Sequence, residues 1–492
     1  MKLEYSIFLI FLFVVNQFQA QEISAKVIDS KTKAPVPFAT IKTAENKGVI
    51  SNDEGSFVVN ANLVENGEIE ISCMGYESKT FSLAELENKA VVSLDPAINQ
   101  LETVFLSSNK PNVDSIIARV NRNYKTNYSL ENLNYQFFQR QTSFADLEEL
   151  EIEIDRASEF DKAQIKRSNA ELASIADEMI NSNSIGFEDY RGNLAIVDKD
   201  NSKLNIDKAT EIFNSNQNFS IEDVQERAID ITLKYLDTTE TYKLKTGWFK
   251  IEDSLSLLEN RDKKKDTLNT IKTKNIKSNV ISDIKDSYLG YESILRTILD
   301  QGIYEYQLEN ATFFNDELIY EISFEPRRSA AKYEGKLYVS DASFAVLKLD
   351  YKYAKGKRGS KLNLRLVLGV KYIENLHQGS LIFRKSETDS YVPRYLGSTT
   401  GQYVYVSRPL KFIENSEDRN KTSLSFKFEG QINEKYELLF ESVTPLDTSA
   451  YETMVEPESV TYEKLRKYDA DQWTGSETLA PTEELRKFEG GK

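Results

Sequence analysis

Apolar and polar positions follow different periods in different stretches of this chain. An unbroken apolar run, Ile7 to Val15, comes first. From Ile23 onward, short alternating runs are broken by turn residues: Ile23 to Ile28, Phe38 to Ile41, Ser56 to Asn60, Glu68 to Cys73 and Ala90 to Leu94. Short strands at such spacing predict a small β-sandwich. The turn Asn52-Asp-Glu-Gly55 contains a glycine that can take a positive φ. Val113 to Lys125 then puts Val113, Ile116, Ile117 and Val120 on one helical face behind the cap Asn112. Leu133 to Phe144 predicts a strand.

Residues 146–182 predict helix, with apolar positions at Leu147, Leu150, Ile154 and Ala157 and a second set at Ile165, Leu172, Ile175 and Met179. The two frames are out of step around Asp161, which fits a bend, two helices or a coiled-coil stutter, packed on the protein's own sheet. Residues 183–300 are the least patterned. They suggest helices at Asp207 to Phe213, Ile221 to Ala228 and Tyr291 to Leu299, and strands at Ala228 to Tyr235 and Tyr242 to Phe249. The polar, lysine-rich stretch from Arg261 to Lys277 reads as an exposed loop.

From Gly302 the period-two pattern is sustained, with Leu318, Tyr320, Ile322 and Phe324 sharing one face. Runs at 335–339, 344–353, 362–372, 380–384, 402–407, 423–430 and 435–443 continue it. A sheet with one apolar and one polar face must curl and be covered, by helices or by a ligand. The fold class is mainly β with an α+β second part: an N-terminal β-sandwich, then helices and a large curved antiparallel sheet. The expected divisions are a signal peptide at 1–20, the sandwich at 21–106 and a linker at 107–112. An α+β domain at 113–445 follows, its strands mostly in 302–443, then a polar C-terminal tail at 446–492. An outer-membrane barrel is the rival for these strands, but such barrels usually end in an aromatic strand, not in a long polar tail.

Val27 and Asp29, Pro35, Pro37 and Ala39, Gly48, Asn52-Asp-Glu-Gly55-x-Phe57 and Ile71-Ser72-x-x-Gly75-Tyr76 occur in an order that closely resembles the carboxypeptidase regulatory-like domain, a transthyretin-like β-sandwich. Ala25 departs from it, standing in place of a common glycine. The resemblance implies a module without catalytic residues, of the kind that precedes the functional part of exported proteins of Bacteroidota type, including TonB-dependent nutrient receptors. No plug or long barrel follows here, so the receptor reading fails. The helix at 114–124 and the tail around Trp473 resemble segments of uncharacterised exported proteins of the same group. Tyr333 to Asp341 with Ser343 to Leu349 resembles the half-barrels of outer-membrane lipoprotein carriers, which implies an apolar cavity that receives acyl chains.

Composition narrows the chemistry. The chain has 492 residues with 62 Lys+Arg against 78 Asp+Glu, a net charge of −16. That balance argues against nucleic-acid binding. One cysteine, Cys73, excludes an internal disulfide, and with one histidine, His377, a four-ligand Cys/His zinc site is excluded too. No cofactor motif is present. The layout of 1–20 is that of a signal peptide and predicts export. Together with the resemblance to exported proteins of Bacteroidota type, it implies the periplasm or the outer-membrane surface of a Gram-negative bacterium. No stretch is long enough for a transmembrane helix.

Candidate sites are few. In a simple meander the turns 326–332 and 354–361 lie at the same end of the sheet. Arg327, Arg328, Lys332, Lys355, Lys357, Arg358 and Lys361 then share one basic rim, suited to the phosphates of a lipid or lipopolysaccharide. The bland alternative is solvated turns whose lysines blunt strand edges. His377 is expected in a turn, Asn375 to Gly379, with no partner motif for catalysis. Asp53 and Glu54 read as turn residues, not as a calcium loop. Cys73 reads as a small buried apolar residue and Trp473 as an anchor for the tail. The expected function is a non-enzymatic, exported envelope protein whose β-rich body binds a lipid, glycan or outer-membrane protein partner. The alternatives are a carboxylate-dependent hydrolase of envelope or dietary polymers and a structural adaptor without a ligand cavity.

Overall fold

The computed structural model describes residues 22–488 apart from 45–46, 98–110, 129–131, 159, 182–183, 199, 213–238, 248, 257–269, 315–316, 387–388, 474–475 and 477. The expected signal peptide, most of the expected linker and the elements expected between 213 and 238 lie outside the described residues. The chain divides into two compact units, one drawn from 1–104, 311–318 and 469–487 and the other from the remainder.

The first unit is a two-sheet sandwich. Its strands are β1 (Glu22–Asp29), β2 (Thr40–Ala44), β3 (Lys47–Ile50), β4 (Ser56–Asn60), β5 (Glu68–Ser72), β6 (Lys79–Ser82) and β7 (Val91–Leu94), with α1 at Leu83–Glu87. They form the sheets β4-β1-β7 and β3-β2-β5-β6. Val27, Ile41, Phe57, Ile69, Ile71 and Leu94 are fully buried between them, and Ala25 and Cys73 join the same core. Asp29 accepts the Lys31 and Thr32 N–H groups and the Tyr76 hydroxyl, which ties the first and last signatures of the module together. Gly55 has φ +77, and a Cβ there would lie 2.4 Å from the Val27 carbonyl oxygen, so no other residue fits this turn without moving β1.

The chain returns to this unit near its end. Trp473, Leu479, Ala480 and Leu485 are buried, as the anchor reading of Trp473 expects. Asn52 Nδ2 donates to the Ala480 and Pro481 carbonyls while its Oδ1 accepts the Glu54 and Ser56 N–H groups. Glu54 in turn accepts the Glu483 N–H. The acidic turn is thus a dock for 480–483, and among the described residues no group of three or more His, Cys, Asp or Glu could hold a metal ion.

The second unit is built on one broad sheet. It starts with α2 (Val113–Asn127), β8 (Leu133–Ala157), α3 (Lys162–Ile180), β9 (Ser184–Ile196) and β10 (Ser202–Ile212). Then come β11 (Thr241–Thr246), β12 (Phe249–Ser256), β13 (Thr270–Lys272), α4 (Thr273–Ile284), a π-turn at Lys285–Leu289 and α5 (Ile294–Ile298). The strands β14 (Tyr304–Phe314), β15 (Glu317–Pro326), β16 (Tyr333–Ser340), β17 (Val346–Tyr353) and β18 (Lys361–Leu364) follow. After α6 (Arg365–Leu368) come the long strands β19 (Val370–Lys385), β20 (Tyr391–Glu414) and β21 (Lys421–Pro445). The last elements are α7 (Thr448–Thr453), β22 (Ser459–Thr461), β23 (Glu463–Leu465) and, in the first unit, α8 (Glu483–Lys487). The main sheet order is β14-β15-β16-β17-β19-β20-β21-β8-β9-β10-β23, a path that is open among the described residues. Its neighbours from β15 to β10 are antiparallel.

Helices cover one face of this sheet. Tyr128 beside α2 and Tyr288 in the π-turn pack their rings on Phe383, at 5.1 and 5.0 Å between centroids. Further along, Ala176 and Met179 of α3 pack on Leu147, Leu150 and Phe428.

Four expectations are corrected. Leu147 to Ala157 belongs to β8, not to a helix. Leu150-Glu-Ile-Glu-Ile-Asp155 alternates with period two, and its apolar residues pair with Leu424, Phe426 and Phe428 on β21, so tertiary pairing overrides the helical spacing. The helix begins only at Asp161, whose side chain caps it in a box with Gln164. Asp207 to Ile212 is strand β10, because the register against β9 claims it. Thr273 to Lys277, expected in an exposed loop, opens α4, whose Ile276, Val280 and Ile284 are buried. The expected run 362–372 is interrupted by α6 and by Gly369 at φ +63, where a Cβ would meet the Ser407 oxygen at 2.0 Å.

Candidate functional site

The two turns that carry the seven basic residues lie at the same end of the sheet. The turn after β15 and the turn after β17 sit side by side: the Ala354 N–H donates to the Lys332 carbonyl, and Lys357 Nζ donates to the Ser329 carbonyl at 3.0 Å. Arg327, Arg328, Lys332, Lys355, Arg358 and Lys361 are exposed and Lys357 is half-buried. None of the seven is in an ion pair with a carboxylate among the described residues. Some lysines elsewhere on the sheet are paired, as in Lys336–Glu321, Lys352–Glu334 and Lys427–Glu149. Glu325 lies next in sequence to this turn. A hydrogen bond to Glu305 and repulsion from it push the Glu325 carboxyl up.

His377 is not in a turn. Asn375 to Gly379 lies inside β19, where His377 pairs with Thr400 of β20. Its ring is half-buried among Tyr333, Tyr351 and Tyr353, at 5.6, 5.4 and 5.8 Å between centroids. The Tyr333 hydroxyl meets Nδ1 at 3.0 Å and the Tyr351 hydroxyl lies 3.4 Å from Nε2. Burial holds the imidazole below its ordinary value against the pull of Glu374. Burial works to raise the Glu374 carboxyl, but the Tyr353 hydroxyl and the Ser360 N–H override it and keep that group below the usual range. The histidine is a polar group satisfied inside an aromatic sheet face, a role that the bare turn-like text of 375–379 did not reveal.

Beneath the helices a cleft of about 100 Å³ remains, lined among others by Gln139, Asp283, Asp286, Tyr351, His377 and Tyr436. Its lining residues are mostly polar, where the half-barrel resemblance implies an apolar cavity. Gln139 Oε1 is buried there without a hydrogen-bond partner among the described residues. Burial, and then repulsion from Asp286, push the Asp283 carboxyl up to about 7. The two aspartates lie one helical turn apart and so sit side by side, not on opposite sides of a bond to be cleaved. Glu437 is engaged by Lys435 and Tyr395.

The Asp283 shift has a measurable consequence. Between about pH 4 and 7 the folded chain holds a proton on Asp283 that the unfolded chain has released, so this group makes stability fall as pH rises through that window. Asp283→Asn should remove up to about 2 kcal/mol of that decline, because water screens part of the penalty at a half-buried site. His377 acts in the opposite sense below about pH 6.5, since only the unfolded chain takes up its proton there. Urea midpoints of parent and variant at several pH values isolate the aspartate; parallel curves would show it carries no such strain.

Residues 23–106 match the family described as CarboxypepD_reg-like domain, so the first module is a domain of that family. No curated protein matches the chain. Among solved structures, similarity is distant. A structure of lipovitellin, described under lipid–protein interactions, shares 8% identity over 68% of this chain at a TM-score of 0.24. This chain spans 27% of that protein's length. An outer membrane lipoprotein-sorting protein domain from Vibrio parahaemolyticus shares 7% identity over 69% of this chain and 97% of its own, at a TM-score of 0.19. The Pseudomonas aeruginosa MucA/MucB complex gives 8% identity, 71% and 99% coverage and a TM-score of 0.15. TM-scores this low do not establish a shared fold.

Proposed function

We propose that this is an exported, non-enzymatic envelope protein that docks through its basic rim on an anionic, phosphate-bearing surface of the cell envelope. The observation that carries the reading is the set of seven basic side chains on two adjoining turns, none of them neutralised by an ion pair among the described residues, in a chain of net charge −16. Seven cations gathered on one rim give a local positive potential, which suits an anionic surface. Export rests on the signal-like text of residues 1–20, and the regulatory-like sandwich is in keeping with it. No helix among the described residues is long and apolar enough to cross a membrane.

The test is sedimentation of the purified protein with vesicles of phosphatidylcholine alone or mixed with phosphatidylglycerol. Binding should require the anionic lipid and weaken as salt rises. Each basic residue near such a surface contributes about 1 kcal/mol, so joint reversal of Arg327, Arg328, Lys357 and Arg358 to Glu should cost roughly a hundredfold or more in partitioning. Equal binding to neutral vesicles, or no loss on charge reversal, would sink the proposal.

A further inference from the structure

The sheet carries, beside α7, a cavity that the rim does not involve. Asn134 of β8, Asn193 of β9 and Asn205 of β10 line it together with Thr444, Tyr451 and Met454, and its volume is about 370 Å³. The register brings these amides onto neighbouring strands: Asn205 lies opposite Asn193, and Asn134 opposite Ala195. Their neighbours in sequence, Tyr135, Leu194 and Leu204, point the other way and are fully buried.

Three properties define what such a cavity can hold. First, the floor is made of side-chain amides. Asn134 and Asn193 have no side-chain hydrogen bond among the described residues, and Asn205 has one, to Asp207 at 3.4 Å. Each amide offers two donors and an acceptor in one plane. Second, β8 and β9 are hydrogen-bonded on both sides at these positions, to β21, to each other and to β10. Their backbone groups are spent, so an extended peptide has no free edge to add to.

Third, the opposite wall is fixed before any ligand arrives. Lys203 of β10 donates to the carbonyls of Tyr451 at 2.9 Å, Met454 at 3.1 Å and Glu452 at 3.3 Å, at the end of α7, and its ammonium lies 4.8 Å from the Tyr451 ring centroid. Just beyond, Glu456 accepts the Leu204 N–H and Lys277 Nζ. The strand that supplies Asn205 therefore also pins the aromatic wall, which is the preorganisation a binding site needs. The lining carboxylate, Asp447, is occupied in capping α7 through Ser449.

A neutral ligand rich in hydroxyls on one side and C–H groups on the other fits this arrangement. We propose that the cavity binds a sugar unit of a neutral glycan, with the asparagine amides taking its hydroxyls and Tyr451 and Met454 covering its apolar face. The volume lies within the range of small-ligand pockets. The site is separate from the rim in residues and in chemistry, so it stands or falls independently of docking on an anionic surface.

The test is binding of maltohexaose, cellohexaose, xylohexaose and mannohexaose to the full chain, by saturation-transfer NMR and calorimetry. At least one should bind. Asn193→Leu and Tyr451→Ala should each weaken it roughly tenfold or more, while Arg328→Glu leaves it unchanged. Tyr451 lies on a short, solvated helix, so its variant should keep the parent's unfolding midpoint and separates lost binding from lost folding. No binding by any of the four sugars, or binding that survives either pocket substitution, would overturn the proposal.

Discussion

Replacing Arg140 with Met should destabilise the second unit by about 3–5 kcal/mol, the cost of leaving a buried charge without its partner. Arg140 is 1% exposed and Asp189 2%. They form a fork, Nε to Oδ1 at 2.9 Å and Nη2 to Oδ2 at 2.7 Å. Burial acts against the Arg140 charge, and Asp189 more than offsets it, so the guanidinium is held even more firmly protonated than in water. The pair joins the middles of β8 and β9, and Arg140 also stands opposite Glu437 of β21. Strands as long as β8 and β21, each of 25 residues, have many near-equivalent registers. A slip by one position would throw this pair to opposite faces, so it selects the register as well as contributing energy. Arg140→Met combined with Asp189→Leu should recover most of the loss, since an apolar pair needs no compensation. Urea unfolding of both variants decides the matter; a single substitution costing under about 1 kcal/mol would contradict the account.

Tyr128→Phe should cost about 2–4 kcal/mol, although it removes one oxygen atom. The Tyr128 hydroxyl accepts the Val346 N–H at 2.8 Å and donates to the Val346 carbonyl at 2.9 Å, both buried. Burial drives its phenol far above the ordinary value, so it remains a donor at any working pH. Phenylalanine keeps the ring among Tyr124, Tyr288, Phe383 and Tyr391, which isolates the hydrogen bonds from the packing. Asn123 and Asn127 of α2 donate to the Ser343 carbonyl at 3.1 and 3.2 Å, so one edge of the helix fastens the whole β16–β17 turn. The specific readout is amide exchange at Val346, which should accelerate beyond the global change in stability. Unchanged protection there would mean that water takes the place of the hydroxyl.

How much was legible in advance depended on range. The sandwich was readable because its signals are local: Asp29, the Asn52 to Gly55 turn and Tyr76 each announce a turn or strand end by residue type. Leu318 to Phe324 was readable for the same reason. Asp161 marks a discontinuity in the pattern, but the pattern of Leu147 to Ala157 is ambiguous, because Leu147, Leu150 and Ile154 satisfy a helical spacing while Leu150, Ile152 and Ile154 satisfy a strand. Only the partners on β21 break that tie. His377 was misplaced because a Gly two residues on resembles a turn, whereas the tyrosines that enclose it come from β16 and β17.

The sequence alone determined that this protein has a regulatory-like module followed by a broad sheet, which residues share a strand face, and that basic residues gather in two particular turns. Alternation and turn chemistry are properties of neighbouring residues, so they are written in the chain. Tertiary structure decided that β8 lies between β21 and β9, that Met179 of α3 packs on Phe428 of β21, and that Asn134, Asn193 and Asn205 line one cavity. These are contacts between residues tens to hundreds of positions apart, chosen by the packing of the whole sheet, and no local pattern encodes them.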